Sequence, residues 1–280
     1  MTGPWRKIAM PRREVRKGRP AGWRSSGCPT GGEGRLMDIK GFIESSLLEW
    51  EGCVSCVLFL PFCNLRCRYC HAGHLLDPAG LPTIRRDEAL SYMRQNRQWL
   101  DGAVITGGEP TLHGEELLEL VAEIRAAGLR VMVETNGTRP EWVQRLLVEG
   151  QLDAIAMDVK APLDAVSYRA VTGRAVDVEA VRESLESIVA SGLPHEFRIT
   201  VVPGLVGPAE VEGITPELKG AQTVALQNFQ PDHCLDPSLR AVVPFMPDEM
   251  DAMGEVLAGA VGRVVVRGRE RGLAVRGGRT

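Results

Sequence analysis

A chain of 280 residues, 44% apolar and 25% charged with a net charge of −3, can bury a full core and has the composition of a soluble globular protein of one large domain or two small ones. No run approaches the roughly 18 consecutive apolar residues of a membrane span, and the basic N-terminus lacks the apolar centre of a secretory signal; no membrane partner and a cytoplasmic location are expected. In a reducing compartment the seven cysteines should be reduced, metal-bound or buried, without stable disulfides.

Residues 1–36 carry nine Lys or Arg against two acids, with many Gly and Pro and no apolar periodicity. This +7 within a chain total of −3 leaves −10 on the other 244 residues. Such a segment buries too little surface to offset its ordering entropy, so a disordered basic leader is expected. A phosphate-binding arm is the other reading of the charge run; composition alone supports it, and no nucleic-acid partner is expected. Met37 opens a stretch that reads as folded. The expected division is therefore the leader (1–36), a barrel domain (37–266) and a solvated basic tail (267–280).

Residues 38–50 mix apolar and polar side chains as an edge strand or hairpin does. From Ser55 onward, short β-branched runs alternate with segments of helical period. Strands are expected at 56–60, 103–106, 130–134, 154–158, 198–202, 223–227 and 264–266. Helices are expected at 87–100, at 115–127 with Leu117, Leu120, Val121 and Ile124 on one face and Gly128 as the stop, and at 140–149 with Pro140 in the first turn. A further helix follows Asp177 as N-cap, buries Val178, Val181, Leu185, Ile188 and Val189, and stops at Gly192; 248–258 is the last. Strands alternating with helices imply right-handed crossovers and a parallel sheet, closed or partly closed as a partial (β/α)6 TIM-type barrel.

Active sites of such barrels form at the C-terminal ends of the strands, and six consecutive strand ends carry polar, Gly or Pro signatures. Cys63, Cys67 and Cys70 follow the first parallel strand, and Gly107-Gly108-Glu109-Pro110 the second. The third ends in Glu134-Thr135-Asn136-Gly137 and the fourth in Asp158-Val159-Lys160. The fifth ends in Thr200-Val201-Val202-Pro203-Gly204 and the sixth in Gln227-Asn228-Phe229-Gln230-Pro231. Three of the seven cysteines fall within eight residues. Iron–sulfur clusters are held by thiolates at short spacings and most take four, so a compact set of three suggests an iron open to substrate.

Cys63-x3-Cys67-x2-Cys70 with Tyr69 inside it, followed by Gly107-Gly108-Glu109-Pro110, resembles the radical S-adenosylmethionine (SAM) superfamily. Lys40-Gly41-Phe42-Ile43, the run from Ser55 to Leu60, Cys70-His71 and Asp158-Val159-Lys160 are similar to the anaerobic ribonucleoside-triphosphate reductase activating proteins, a branch of the glycyl radical enzyme activases. The resemblance covers 38–236. It implies a four-iron, four-sulfur (4Fe-4S) cluster on Cys63, Cys67 and Cys70, whose open iron chelates SAM and whose electron splits it into methionine and a 5'-deoxyadenosyl radical. Gly107 and Gly108 would let backbone carbonyls reach the methionine ammonium, Glu109 would add charge or hold the loop, Tyr69 would flank the adenine, Lys160 would neutralise the methionine carboxylate and Val201 would pack on the adenosine. In some activases a monovalent cation lies beside the residue matched by Asp158; here Glu134, Thr135 and Ala156 hold the other positions, the first being Glu where Asp is usual. Gln230 stands where a pyruvate formate-lyase activase has a His near the methionine carboxylate, and keeps a hydrogen-bond donor without the charge. The implied function is installation of a glycyl radical on an anaerobic ribonucleotide reductase or related glycyl radical enzyme, with a flavodoxin- or ferredoxin-type reductant.

Other readings compete for the same residues. A radical SAM enzyme acting on a small molecule, such as a deazaguanine synthase, has similar size. A zinc or iron–sulfur regulator using the three cysteines with His71 or His74 is chemically reasonable, but leaves the other strand ends unexplained. Cys67-x2-Cys70-His71 matches a c-type haem attachment pattern, which leaves Cys63 over. Cys53 and Cys56 read as small buried apolar side chains, Cys234 as a loop thiol on the active-site side, and Cys28 as inert.

Overall fold

The computed structural model describes residues 37–268; the expected leader and residues 269–280 of the expected tail lie outside them. One eight-stranded sheet runs in sequence order. β1 (Gly41–Ser46) is the edge strand expected from 38–50 and pairs antiparallel with β2 (Ser55–Leu60). Every later pair is parallel: β3 (Gly102–Gly107), β4 (Arg130–Thr135), β5 (Ala154–Asp158), β6 (His195–Val201), β7 (Thr223–Asn228) and β8 (Arg263–Arg267). Between them lie α1 (Arg86–Asn96), α2 (Glu115–Ala126), α3 (Pro140–Val148), α4 (Ala165–Thr172), α5 (Val178–Ser191), α6 (Pro208–Ile214) and α7 (Pro247–Ala258). Six parallel strands are thus each followed by helix, as the partial (β/α)6 reading requires, and among the described residues no pairing joins β8 to β1.

Strand parity divides the interior. Leu58, Leu60, Ile105, Val131, Val133, Ile155, Met157, Phe197, Ile199 and Val201 join the buried faces of the helices in one large core. The opposite face of the sheet carries a small cluster of Val57, Val104, Met132, Ala154 and Ala156, with Trp50 and Phe59 packed against it. Arg198 on β6 reaches Glu134 on β4 across the intervening strand, which marks this second face as the concave one. Trp50, in the β1–β2 turn, stacks under the Arg130 guanidinium at 5.2 Å and lies so close to Gly102 that a Cβ there would meet its ring at 2.8 Å.

Helix signals were legible where the amphipathic run was long. All four core residues expected of α2 are fully buried. α5 starts at its Asp177 cap, which accepts from Glu179 N, and ends at Gly192 in the left-handed conformation. Its buried stripe differs from expectation: Val178 and Val189 are half-buried, while Ser184 is inside because its hydroxyl donates to the Gly137 carbonyl at 2.7 Å. α4 and α6 went unexpected. Eight and seven residues long, they are too short for a helical period to repeat, and only their ends carry signals: Asp164 accepting from Val166 N and Ser167 N, Gly173 in the left-handed region, and Pro208 in the first turn. Helix α1 stops at Asn96, short of the expected residue 100. Arg267, assigned to the tail by pattern, is the last residue of β8.

Two measurements test this account. Leu120→Ala should lower the unfolding free energy by about 3 kcal/mol, as core truncations do, whereas Asp177→Ala should cost about 1 kcal/mol, as lost N-caps do; urea melts of both resolve the difference. His195 is buried, its Nδ1 facing the Leu193 carbonyl at 2.8 Å and its Nε2 accepting from Gln222 N at 3.1 Å. Burial holds its pKa below the ordinary value. Its contribution is therefore full above about pH 6.5 and is lost as pH falls toward the lowered native value, because the unfolded chain binds the proton first. His195→Gln should flatten that part of the stability–pH curve.

Candidate active site

The cysteine loop leaves β2 through Phe62, which has φ 66°, a conformation few residues other than Gly adopt. Three segments then hold it. Phe62 N donates to Leu75 O at 2.8 Å. Arg66 N and Arg68 N donate to Thr172 O and Val171 O at 2.8 and 3.1 Å. These carbonyls belong to the last turn of α4, where a helix has acceptors without intrahelical partners. The loop after β7 closes the third side: Asp236 N donates to Arg68 O, Arg68 Nε to Asp236 Oδ2, and His71 Nε2 lies 2.7 Å from Gln230 O. Within the loop, Arg66 Nη1 donates to both Cys63 O and Leu65 O at 2.7 Å.

Gly107 and Gly108 have a different immediate task from the one their motif suggests. Gly107 adopts φ 124°, and a Cβ on it would lie 2.4 Å from Leu60 N and O; on Gly108 it would lie 1.8 Å from Phe62 O. The close approach they permit is to the backbone that carries the cysteines. Gly108 N donates to Leu60 O at 2.9 Å and Glu109 N to Phe62 O at 2.7 Å.

Glu109 holds the loop. Its carboxylate is fully buried and accepts from Thr111 N, Thr111 Oγ1, Thr135 Oγ1 and Asn136 N at 2.6–3.1 Å. Burial raises its pKa and these donors pull it back. Asn136 carries the connection onward: its Nδ2 donates to Asn64 Oδ1 at 2.9 Å and reaches Cys63 Sγ at 3.8 Å, while Asn64 Nδ2 donates to Thr138 Oγ1 at 2.7 Å. The positioning roles of Asn64, Asn136 and Thr138 were not foreseen; the only sequence signal for Asn136 was its place in a strand-end motif.

Cys67 is buried, and Cys63 and Cys70 are partly exposed. Burial pushes the Cys63 thiol up to about 12 and Cys67 to about 11, so as free thiols all three are neutral, and it is coordination by metal that ionises such a group. Among the described residues no three Cys, His, Asp or Glu side chains converge on a point as ligands of a single ion do; thiolates bound to separate irons of a cluster need not. The chemistry of three thiols in one short clamped loop fits a cluster with an open corner. Of the two histidines that could complete a zinc set with the cysteines, His71 is engaged by the Gln230 carbonyl.

Asp158 and Lys160 end β5 facing the concave side, with Lys160 Nζ 2.8 Å from Asp158 Oδ2. Burial alone would lower the Lys160 pKa, but Asp158, with Tyr69 and Cys67, outweighs it and holds the ammonium well above its ordinary value. The ammonium lies 6.0 Å from the centroid of Tyr69. Tyr69 is 7% exposed, and among the described residues its buried hydroxyl has no hydrogen-bond partner, a state that calls for an explanation such as a ligand. Gln230 is exposed, with its carbonyl rather than its side chain tied to the cysteine loop.

Two expectations meet a different geometry. Val201 is fully buried in the helix-facing core beside Phe197 and Ile199, so its side chain lies on the wrong side of β6 to pack on an adenosine; Thr200 has concave parity. The monovalent-cation set is not assembled either. The Glu134 carboxylate is ion-paired with Arg198 at 2.5 Å, the Thr135 hydroxyl is turned to Glu109, and Asp158 is held by Lys160.

The family profile of the radical SAM superfamily matches residues 57–207, more than half of the chain, and the chain belongs to that superfamily. It is a radical SAM enzyme, and membership brings with it a 4Fe-4S cluster and SAM. Among curated proteins, one from Methanocaldococcus jannaschii assigned as a glycyl-radical enzyme activating enzyme is 26% identical over 82% of this chain and 95% of its own length. The pyruvate formate-lyase-activating enzyme of Clostridium pasteurianum is 24% identical over 72% of this chain and 83% of its own. A 7-carboxy-7-deazaguanine synthase from Hyperthermus butylicus is 30% identical over 55% and 70%. In fold, the chain resembles SAM-bound SuiB of Streptococcus suis, with a TM-score of 0.58 at 12% identity over 76% of this chain and 52% of that one.

Gly108→Ala tests the buttress. Its Cβ meets backbone that has no room to yield, so the variant should lose about 1–3 kcal/mol, the range for overpacking, and take up less iron on anaerobic reconstitution. Wild-type iron content and melting temperature would contradict the close approach.

Proposed function

We propose that this enzyme installs a glycyl radical on a partner protein, an anaerobic ribonucleoside-triphosphate reductase or a related glycyl radical enzyme, by abstracting a hydrogen atom from a backbone glycine. The observation that carries this reading is the match along 95% of the Methanocaldococcus jannaschii protein whose name gives it that role, supported by the match to the pyruvate formate-lyase-activating enzyme of Clostridium pasteurianum. The cluster, when bound on Cys63, Cys67 and Cys70, supplies the electron that cleaves SAM to methionine and a 5'-deoxyadenosyl radical. The chain's own residues bind and orient. Lys160, paired with Asp158, presents a charged ammonium to the methionine carboxylate. The Tyr69 ring, with its centroid 6.0 Å from that ammonium, would flank the adenine. The Gly107-Gly108-Glu109 turn fixes the cysteine loop, and the post-β7 loop that carries Gln230 is tied to it through the Gln230 carbonyl and Asp236. The working protein is read as cytoplasmic, reduced by a flavodoxin- or ferredoxin-type donor, with the catalytic domain beginning near residue 37.

A second reading keeps the chemistry and changes the substrate: the 30% identity to a deazaguanine synthase favours a small molecule. Electron paramagnetic resonance separates the two. Anaerobic incubation of the reduced enzyme and SAM with each candidate glycyl radical enzyme should give a glycyl doublet with one of them, and none with Cys67→Ser. Silence with every candidate, together with rapid 5'-deoxyadenosine formation on adding a small substrate, would overturn the activase reading and leave the superfamily intact.

A further inference from the structure

The concave face holds more buried charge than the site just described uses. Glu134, Asp158 and Glu196 share its strand parity, and the half-buried Glu49 carboxyl in the β1–β2 turn lies within electrostatic reach of Glu134; unpaired carboxylates are costly to bury. A bound cation or a side chain must balance them. Arg198, 8% exposed, lies among them. Its Nη1 donates to Glu134 Oε1 at 2.5 Å, its Nε to Glu196 Oε1 at 2.7 Å and its Nη2 to the Glu49 carbonyl at 3.1 Å. A planar guanidinium serves three directions at once, which a lysine ammonium does less well. Burial would lower the Arg198 pKa, but Glu134, Glu196 and Asp158 more than reverse this, so the group stays charged. Arg267 takes the rest of Glu196, donating to Oε1 and Oε2 at 2.9 and 2.7 Å. Among the described residues no ion pair is formed by the Glu49 carboxyl, and burial first, then Glu134, raises its pKa against the opposing pull of Arg198 and Arg267.

Register explains how Arg198 reaches so far. It stands opposite Asp158 in the β5–β6 pairing, and Glu134 stands opposite Ala156 in the β4–β5 pairing. Ala156 is therefore the residue that the arginine passes over, and its single methyl leaves room. One oxygen each of Glu134, Thr135 and Asp158, the side chains a monovalent cation would draw on, is already engaged, by Arg198, Glu109 and Lys160 respectively.

We infer that the Arg198 guanidinium is the built-in cation of this acidic floor, and that the enzyme binds SAM without an alkali-metal ion. The inference rests on placing the methionyl end of SAM at Asp158 and Lys160, and is independent of which partner receives the radical.

The test is SAM affinity by calorimetry on the anaerobically reconstituted enzyme, with ionic strength held constant by choline chloride, KCl or NaCl because salt itself screens charge. The wild type should bind SAM equally, to within about twofold, in all three. A loss of about tenfold or more in choline, equivalent to 1.4 kcal/mol, overturns the inference. Arg198→Met should weaken binding in choline by about tenfold and regain affinity with K⁺ or methylguanidinium; a folded variant that binds as tightly as wild type in choline overturns it. If that variant does not fold, Arg198→Lys should fold and remain indifferent to K⁺, and the wild-type comparison stands without any variant. Lys160→Ala is the separate check on placement: unchanged SAM affinity there would remove the site reading, not the alkali result.

Discussion

Glu109 ties together three pieces of chain, by its backbone N–H and by its carboxylate. Its backbone N–H reaches Phe62 in the cysteine loop, its own turn supplies Thr111, and its oxygens take the Thr135 hydroxyl and Asn136 N–H at the end of β4. A buried ion is stable only when its lone pairs are satisfied, and here four donors do so. Hydrogen bonds to charged groups are worth about 1.5–3 kcal/mol each, against roughly 1 for neutral pairs. The larger effect of losing the acceptor would be indirect. Thr135 and Asn136 would keep buried donors with nothing to receive them, and Asn136, released, would no longer hold Asn64 beside Cys63.

The glycines before Glu109 make the arrangement sterically feasible, and the order of dependence runs through them. Without Gly108 the turn cannot approach Phe62 O; without that approach Glu109 cannot bridge to β4. The cysteine loop thus borrows its shape from the second and third parallel strands on one side and from the free carbonyls of α4 on the other. A loop of eight residues with three thiols has little structure of its own. Its rigidity comes from elements up to about 170 positions away in sequence, the Arg68–Asp236 pair being the longest link.

Much of this was legible in advance, for identifiable reasons. Seven parallel strands and the long helices announced themselves by period and by caps, since α2 and α5 repeat their apolar residues over three turns. The strand-end motifs marked which edge of the barrel carries the chemistry. What the pattern could not supply was the identity of contacts made across the fold. That Gly107 and Gly108 also let the turn pack on the cysteine strand was not legible, because nothing in the sequence says that Leu60 and Phe62 lie 2.4 and 1.8 Å from where their side chains would be. Val201 read as a lining residue because its strand end is right, but one step of parity puts it in the helix-facing core. α4 was missed because eight residues barely exceed two turns, yet its last carbonyls hold the cysteine loop. Arg198 carried no signal at all: its partner Glu134 is 64 positions away, and an arginine inside a strand reads as an exposed one until the register is known.

The concave network also bears on why an open barrel keeps its shape. β8 is an edge strand whose five side chains are half-buried or exposed, so apolar packing contributes less there than in β5 or β6. Its last residue, Arg267, grips Glu196 with two hydrogen bonds, Glu196 shares Arg198, and Arg198 holds Glu134 on β4 and the turn before β2. The Arg267–Glu196 link (β8 to β6) and the Arg198–Glu134 link (β6 to β4) each span strands that the backbone ladder does not connect directly. Partly exposed pairs such as Arg267–Glu196 contribute little singly because water screens them, but Arg198 and Glu134 are sheltered, and a chain of shared ions resists flattening in a way that isolated pairs do not. The curvature that brings Asp158 and Lys160 toward the cysteine loop is therefore stabilised from inside the barrel, by the same groups that neutralise its floor.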